Sequence, residues 1–229
     1  MRAVIFANGL FPEPEAHRHL LQPDGEAAEP LIIAVDGGAI HAQAAGAIPD
    51  VAIGDLDSLD VELRTQLETE GTRFIPHPPA KDETDLELAL LYAAQEGADE
   101  ILILAALGGR LDQTFANVLL LSHPALAEIQ VRIIERNQTA FLILDQAIIE
   151  GKPGDTVSLI PLGGDAHGVT ADKGLKWPLH DETLHFGLAR GVSNVLLGRQ
   201  ARVRVREGIL LCVVIESRPN RRHHKEEER

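Results

Sequence analysis

The sequence predicts an α/β protein. The expected architecture is a Rossmann-like, mainly parallel N-terminal sheet with flanking helices, then a small C-terminal antiparallel β-sandwich. Three observations predict it. Up to about Asn137, short apolar runs alternate with helical patterns. Beyond it, alternating runs are separated by glycine and proline turns. The chain has 229 residues, 45% hydrophobic and 24% charged, an ordinary folding composition with length for one large domain or two small ones.

The strand candidates of the first part are Ala3–Ala7, Leu31–Val35, Val51–Ile53, Arg73–Ile75, Ile101–Ala105 and Val131–Ile134. Short apolar runs bounded by turn residues read as strands buried on both faces. Pro12–Pro30, with four prolines and several acids, reads as a long loop with room for one helical turn. Val61–Glu70, Leu86–Glu96 and Leu111–Ser122 read as helices. The second is the best defined, because Leu86, Ala89, Leu90 and Ala93 recur at helical spacing. Thr84 and Glu87 form a capping-box pattern at its start.

After Asn137 the turns carry Gly151-Lys152-Pro153-Gly154, Gly163-Gly164, Gly174, Gly187, Gly191, Gly198 and Gly208. Ala201, Val203 and Val205 alternate with Arg202, Arg204 and Arg206. Glu207-Gly208 then turns the chain into Ile209–Ile215, which reads as a final hairpin with a solvated arginine face. The expected divisions are 1–137 (α/β domain), 138–217 (β domain) and 218–229 (a charged, disordered tail).

The charge balance excludes several functions. Net charge is −14. Nine of the 21 basic residues fall in the last 31 positions, leaving the first 198 residues with 12 basic against 30 acidic side chains, a net −18. Such a body repels a nucleic-acid backbone, so no nucleic-acid partner is expected. Apolar runs such as Ile101–Leu107 are far too short to span a bilayer, so no membrane partner is expected either. Cys212 is the only cysteine, which excludes an intrachain disulfide and a cysteine-rich zinc site. A reducing, cytoplasmic setting fits.

Acidic residues follow the expected strand ends, where open parallel sheets bind ligands. Asp36-Gly37-Gly38 follows one strand, Gly54-Asp55-Leu56-Asp57-Ser58 another, and Lys81-Asp82-Glu83-Thr84-Asp85 follows a proline loop. Singly, such acids cap helices and stabilise turns, which is the reading for Asp60 and a real alternative for Asp85. Together they would repel unless a hard cation or protons sat between them. Oxygen donors favour Mg²⁺, with Mn²⁺ close behind. Gly108-Gly109-Arg110 supplies flexible backbone and a guanidinium suited to phosphate. Neither the G-x-x-x-x-G-K-[ST] nor the G-x-G-x-x-G nucleotide motif is present. Trp177, the single tryptophan, reads either as filling of the β-domain core or as a π face for a cationic ligand.

These four acidic and glycine motifs, with Asp112 and Asn117 behind the last, resemble the thiamine pyrophosphokinase family. Gly174-Leu175-Lys176-Trp177-Pro178-Leu179 and Gly191-Val192-Ser193-Asn194 resemble its second domain. The resemblance runs from Ala3 to about Ile215. It implies transfer of the pyrophosphoryl group of ATP to the hydroxyl of thiamine, giving thiamine diphosphate and AMP. It implies a homodimer, with thiamine between the α/β domain of one subunit and the β domain of the other. By position it implies Asp55, Asp57 and Asp85 as metal-facing acids, with Asp36 in the same crevice. Gly108, Gly109, Arg110, Asp112 and Asn117 fall on the ATP side, Trp177 and Ser193 on the thiamine side. Asp36 or Asp82 is the expected proton acceptor. Two positions depart from the family pattern: Gln113 stands where histidine is frequent, and Val195 where glutamate is frequent. Two rivals remain open: a related diphosphokinase acting on another hydroxymethyl heterocycle, such as a pterin, and a non-catalytic binding protein.

Overall fold

Apolar β-branched runs form the centre of the first unit, because they bury best between two covered faces. A computed structural model of the chain describes residues 1–23, 25, 28–78 and 80–217. It divides into two compact units, Met1–Leu142 and Ile143–Arg229. The expected tail, 218–229, lies outside the described residues.

In the first unit, β1 (Arg2–Phe6), β2 (Leu31–Val35), β3 (Val51–Gly54), β4 (Arg73–Pro76), β5 (Glu100–Leu104) and β6 (Gln130–Glu135) pair in the order β4-β3-β2-β1-β5-β6, all parallel. β7 (Gln138–Ile143) then returns antiparallel beside β6. The sheet is therefore mixed, which corrects the expectation of a mainly parallel one. The reason is local. Arg136, with φ 56, and Asn137 make a two-residue turn, and such turns join antiparallel neighbours.

Among the described residues, this unit has the α-helices α1 (Gly38–Ala44), α2 (Val61–Glu70), α3 (Asp85–Gln95) and α4 (Leu111–Leu120). Ala42 and Ala45 pack with Val4, Phe6, Ile32, Leu102 and Leu104, alternate residues of the central strands. Ala39 and Leu67 pack with Ala34, Ala52, Leu56 and Leu59. α3 buries Leu86, Ala89, Leu90 and Ala93, the stripe its spacing predicts. Its Thr84 cap accepts from the Glu87 amide at 3.2 Å, but Glu87 does not close the box; its carboxylate lies 3.7 Å from His123 Nε2. Asp60 caps α2 through the Leu63 amide at 2.7 Å. The Pro12–Pro30 loop holds more structure than expected, a 3₁₀ helix over Pro14–Leu21. α1 carries no apolar stripe long enough to announce it.

The second unit is antiparallel and built on β9 (Thr156–Ala171). β13 (Glu207–Ile215) pairs with β9 across its first half, and β12 (Gln200–Arg204) pairs with the last residues of β9 and with β8 (Gln146–Glu150). The expected β12–β13 hairpin is thus not made. β9 is long enough to receive both strands at different stretches, and the pairing breaks register between Glu207 and Ile209. β10 (Leu179–Leu184) and the short β11 (Asn194–Val195) also pair with β9. Arg202 and Arg204 face solvent while Ala201 and Val203 are buried, as alternation predicts. Cys212 is buried, and burial pushes its thiol up to about 12, so it holds no thiolate near neutral pH. No helix among the described residues is long and apolar enough to cross a membrane.

Candidate active site

Parallel strands send their carboxyl ends to one edge, so the loops after β1, β2, β3 and β5 meet there. Asp36 leaves β2 with φ 47, a left-handed conformation costly for a residue with a side chain. Its Oδ1 accepts from the Leu56 amide at 3.3 Å. Leu56 is itself left-handed, with φ 60, and buried. Gly54 makes this contact possible. A Cβ there would lie 1.8 Å from Asp36 Oδ1, and its φ of 142 disfavours any side chain. The glycine of the Gly54–Ser58 motif is therefore a demand of Asp36.

Four acids converge. Burial raises Asp36 from the ordinary value near 3.8 to about 6, with further contributions from the Asp85 charge, the Asp55 charge and a shared hydrogen bond with Asp85; the Leu56 amide opposes them. Asp57 is exposed and is raised by a hydrogen bond and charge from Asp55, then by slight desolvation and by Asp85. The Asp57 amide donates to Asp55 Oδ1 at 3.2 Å. Lys81 forms an ion pair with Asp85, one helical turn apart. Lys81 thus sets an ammonium beside the Asp85 carboxylate. Lys81 is the residue whose role the motif left unassigned; its signal was the i, i+4 spacing. Asp82 is exposed, outside this group of interacting acids.

The donor set suits a hard divalent cation, since every candidate ligand is a carboxylate oxygen and the paired acids coexist only by sharing protons or a cation. Among the described residues, however, no three acidic, histidine or cysteine groups stand together in a metal-holding arrangement. Of the expected trio, Asp57 feels the charges of Asp55 and Asp85, and Lys81 pairs with Asp85.

On the other side of β1, Gly108 and Gly109 are both left-handed, with φ 84 and 73. Arg110 is exposed and turned onto Asp112, donating from Nε to Oδ1 at 3.1 Å and from Nη2 to Oδ2. That pairing lowers Asp112 and raises Arg110. Asn117, expected on the ATP side, stands within α4. It is buried, and its Nδ2 donates to the Ala106 carbonyl at 2.7 Å, bracing the β5–α4 loop from below. Gln113 is exposed.

In the second unit Trp177 is 54% exposed, which removes the core-filling reading. Lys176 Nζ stands 4.8 Å from its ring centroid, a cation on the π face. Asn194, to which no role was given, clamps Trp177 from both sides of its backbone: Oδ1 accepts from the Trp177 amide at 3.1 Å, and Nδ2 donates to its carbonyl at 2.7 Å. Ser193 is exposed, left-handed at φ 66, and its amide donates to Ser158 Oγ at 3.1 Å. Gly191 lies against β9, where a Cβ would be 2.0 Å from the Leu159 carbonyl oxygen. Val195 is half-buried, its carbonyl accepting from the Lys176 amide at 2.8 Å.

An α/β unit with an acidic carboxyl edge, joined to a β unit with an exposed tryptophan, is the build of a kinase-type enzyme with two substrates. Residues 26–133 match the family model described as the catalytic domain of thiamin pyrophosphokinase, and residues 145–210 match its vitamin B1 binding domain. A thiamine pyrophosphokinase of Bacillus subtilis is 31% identical over 185 residues, spanning 80% of this chain and 86% of the relative. The crystal structure of thiamine pyrophosphokinase from Bacillus subtilis superposes with a TM-score of 0.81 at 28% identity, over 95% of this chain and all of that one. The structure from Geobacillus thermodenitrificans gives 0.79 at 28% identity, over 95% of this chain and 98% of the other. The chain belongs to the thiamine pyrophosphokinase family.

Proposed function

We propose that the chain transfers the pyrophosphoryl group of ATP to the hydroxyl of thiamine, releasing AMP and forming thiamine diphosphate. The observation that carries this reading is the convergence of Asp36, Asp55, Asp57 and Asp85 at the carboxyl ends of β2 and β3 and the start of α3. The thiamine oxygen attacks the β-phosphorus, the bond from that phosphorus to the α-phosphate oxygen breaks, and AMP leaves. The hydroxyl proton passes to a carboxylate. Asp36, half-buried among the interacting acids, is better placed than exposed Asp82. Most of the catalysis is positioning and charge neutralisation. Gly108 and Gly109 let backbone approach the phosphates, and Arg110 swings from Asp112 to their oxygens. Asp112 and Asn117 hold that loop.

Mg²⁺, or Mn²⁺ in its place, would be held by Asp55, Asp57 and Asp85, and when bound supplies positive charge to the phosphate oxygens. Trp177 offers its ring to the cationic thiazolium, taking over the position of the Lys176 ammonium, with Ser193 beside it in sequence order. In this reading residues 1–137 form a Rossmann-like ATP domain, 138–217 a β-sandwich domain for thiamine and dimerisation, and 218–229 a charged tail. Two chains pair so that each thiamine meets the α/β domain of one and the β domain of the other. The enzyme works in the cytoplasm, without nucleic acid or membrane.

The test is incubation of the purified chain with ATP, Mg²⁺ and thiamine, reading AMP and thiamine diphosphate. AMP formed with a hydroxymethyl pterin and not with thiamine would move the assignment to another diphosphokinase. Binding of both substrates without AMP would make it a binding protein. Asp55→Asn and Asp57→Asn should each remove Mg²⁺-dependent turnover while the folded circular dichroism spectrum persists. Near-normal turnover in both variants would sink the metal assignment.

A further inference from the structure

Strand order singles out one place on the carboxyl edge. From β1 the chain builds outward through β2, β3 and β4, then returns to β1's other side with β5 and β6. The direction of winding reverses between β1 and β5, and ligands of such sheets sit outside that switch point. The loop leaving β1 carries Asn8-Gly9-Leu10. The sequence motifs assign these residues no role.

The loop is held closely. Gly9 donates its amide to the Ala105 carbonyl at 2.7 Å, and Leu10 donates to Leu107 at 2.9 Å. His41 Nε2 lies 3.0 Å from the Gly9 carbonyl oxygen and donates to it. A Cβ on Gly9 would lie 2.5 Å from the Ala105 oxygen, so only glycine fits. The loop touches both flanking motifs. A Cβ on Gly37 would lie 2.4 Å from Asn8 Oδ1, and a Cβ on Gly108 would lie 2.7 Å from Leu10 Cδ1. The side chains of Asn8 and Leu10 thus lie against the two glycine turns that flank the switch point.

Asn8 itself is exposed, and among the described residues its carboxamide has no hydrogen-bond partner. Asn117, the other candidate amide, has already given its Nδ2 to Ala106. The chemistry of the crevice makes a free amide valuable. Its left side is lined by carboxylates, which only accept, and Arg110 is engaged with Asp112. A polyphosphate placed there needs hydrogen-bond donors that are not already paired, and a carboxamide N–H is one.

We propose that Asn8 is a nucleotide-binding residue, donating its Nδ2 to a phosphate oxygen of ATP between the Asp36-Gly37 and Gly108-Gly109 turns. This rests on the reaction proposed above and adds a contact to it. Calorimetric titration with ATP and Mg²⁺, without thiamine, tests it apart from turnover. Asn8→Ala should weaken ATP binding about three- to tenfold, the range of one hydrogen bond. Asn8→Asp, which adds a carboxylate beside Asp36, should weaken it more. Asn8→Ala should leave the urea midpoint and the KM for thiamine unchanged, since Asn8 carries no side-chain contact that folding needs. Unchanged ATP affinity in both variants would overturn the assignment. If the unaltered chain binds ATP but forms no AMP, the reaction falls and the Asn8 contact is still decided by the titration.

Discussion

Asp36 offers a test in which stability and activity move in opposite directions. Its carboxyl is raised from near 3.8 to about 6 by burial and by the Asp85 and Asp55 charges. A rise of that size corresponds to about 3 kcal/mol if none of it is screened. Water reaches a half-buried carboxylate, and screening of the two charge contributions leaves about 1–2 kcal/mol. That is what an ionised Asp36 costs the folded chain at pH 7. Asparagine keeps the shape and the acceptor for the Leu56 amide and removes the charge. Asp36→Asn should therefore be more stable than the unaltered chain by about 1–2 kcal/mol, while turnover falls at least about 100-fold if Asp36 accepts the proton.

Urea unfolding in EDTA reads the first effect, since a bound cation would itself neutralise Asp36. With a denaturant slope near 3 kcal/mol per molar, the midpoint should rise by about 0.5 M. The pH dependence fixes the cause. A carboxyl raised in the folded state costs nothing below its unfolded value of 3.8 and its full amount above about 6. The advantage of Asp36→Asn should thus be about half as large at pH 5 as at pH 7, and absent near pH 3.5. A variant equal to or less stable than the unaltered chain at pH 7 would refute the crowded-carboxylate account, and undiminished turnover would refute its chemical role.

Three further outcomes follow from the same contacts. Gly54→Ala should lose about 3 kcal/mol or more, because its Cβ would meet Asp36 Oδ1 at 1.8 Å and its φ of 142 admits no side chain without strain; calorimetry should read a Tm lower by about 6–12 °C, and a change under 2 °C would be evidence against the contact. Trp177→Ala should raise the KM for thiamine about three- to thirtyfold, the range of a cation–π contact, with the KM for ATP unmoved; an equal rise for both substrates would argue for a structural role. Burial lowers His41 below its ordinary 6.5 despite its bond to Gly9, so stability present above pH 6.5 should be lost as pH falls through the folded value; His41→Gln should flatten that part of a pH–stability curve, and an unchanged slope would place the titrating group elsewhere.

The carboxyl-edge placement of the acids was legible because it needs only strand ends and the rule for parallel sheets. The apolar runs of β1, β2, β3 and β5 are unambiguous, so Asp36, Asp55 and Gly108 could be set beside them from composition and period alone. Pairing in the second unit was not legible. Alternation shows that Ala201 and Val203 face inward, but it does not say which strand lies alongside. The 16-residue β9 offered more edge than a neighbouring hairpin partner. The state of polar side chains was also hidden. Nothing in the sequence shows that the Asn117 amide donates to the Ala106 carbonyl. Lys81 and Asp85 were visible as an i, i+4 pair, yet their spacing alone gives no reason to weigh that pair above a metal contact.

Backbone strain supplies what the residue pattern lacked. Six described non-glycine residues have positive φ, and three of them, Asp36, Leu56 and Ala105, stand in the loops after β2, β3 and β5. A fourth, Ser193, adjoins the Asn194 clamp on Trp177. Each such residue costs on the order of 1 kcal/mol or more, and strain of this kind persists only where surrounding contacts hold it. Here the holding contacts are specific: the missing Cβ of Gly54 beneath Asp36, the Asp36 carboxylate on the Leu56 amide, and the Gly9 amide on the Ala105 carbonyl. The first two join the β2 and β3 loops, and the third joins the β1 and β5 loops. Gly9 owes its identity to backbone carbonyls that approach too closely for a methyl group, and Gly54 to its positive φ and to the equally close Asp36 carboxylate. Gly54 is as much a part of the crevice as the acids, because only its missing Cβ leaves room for the Asp36 carboxylate where it meets the Leu56 amide.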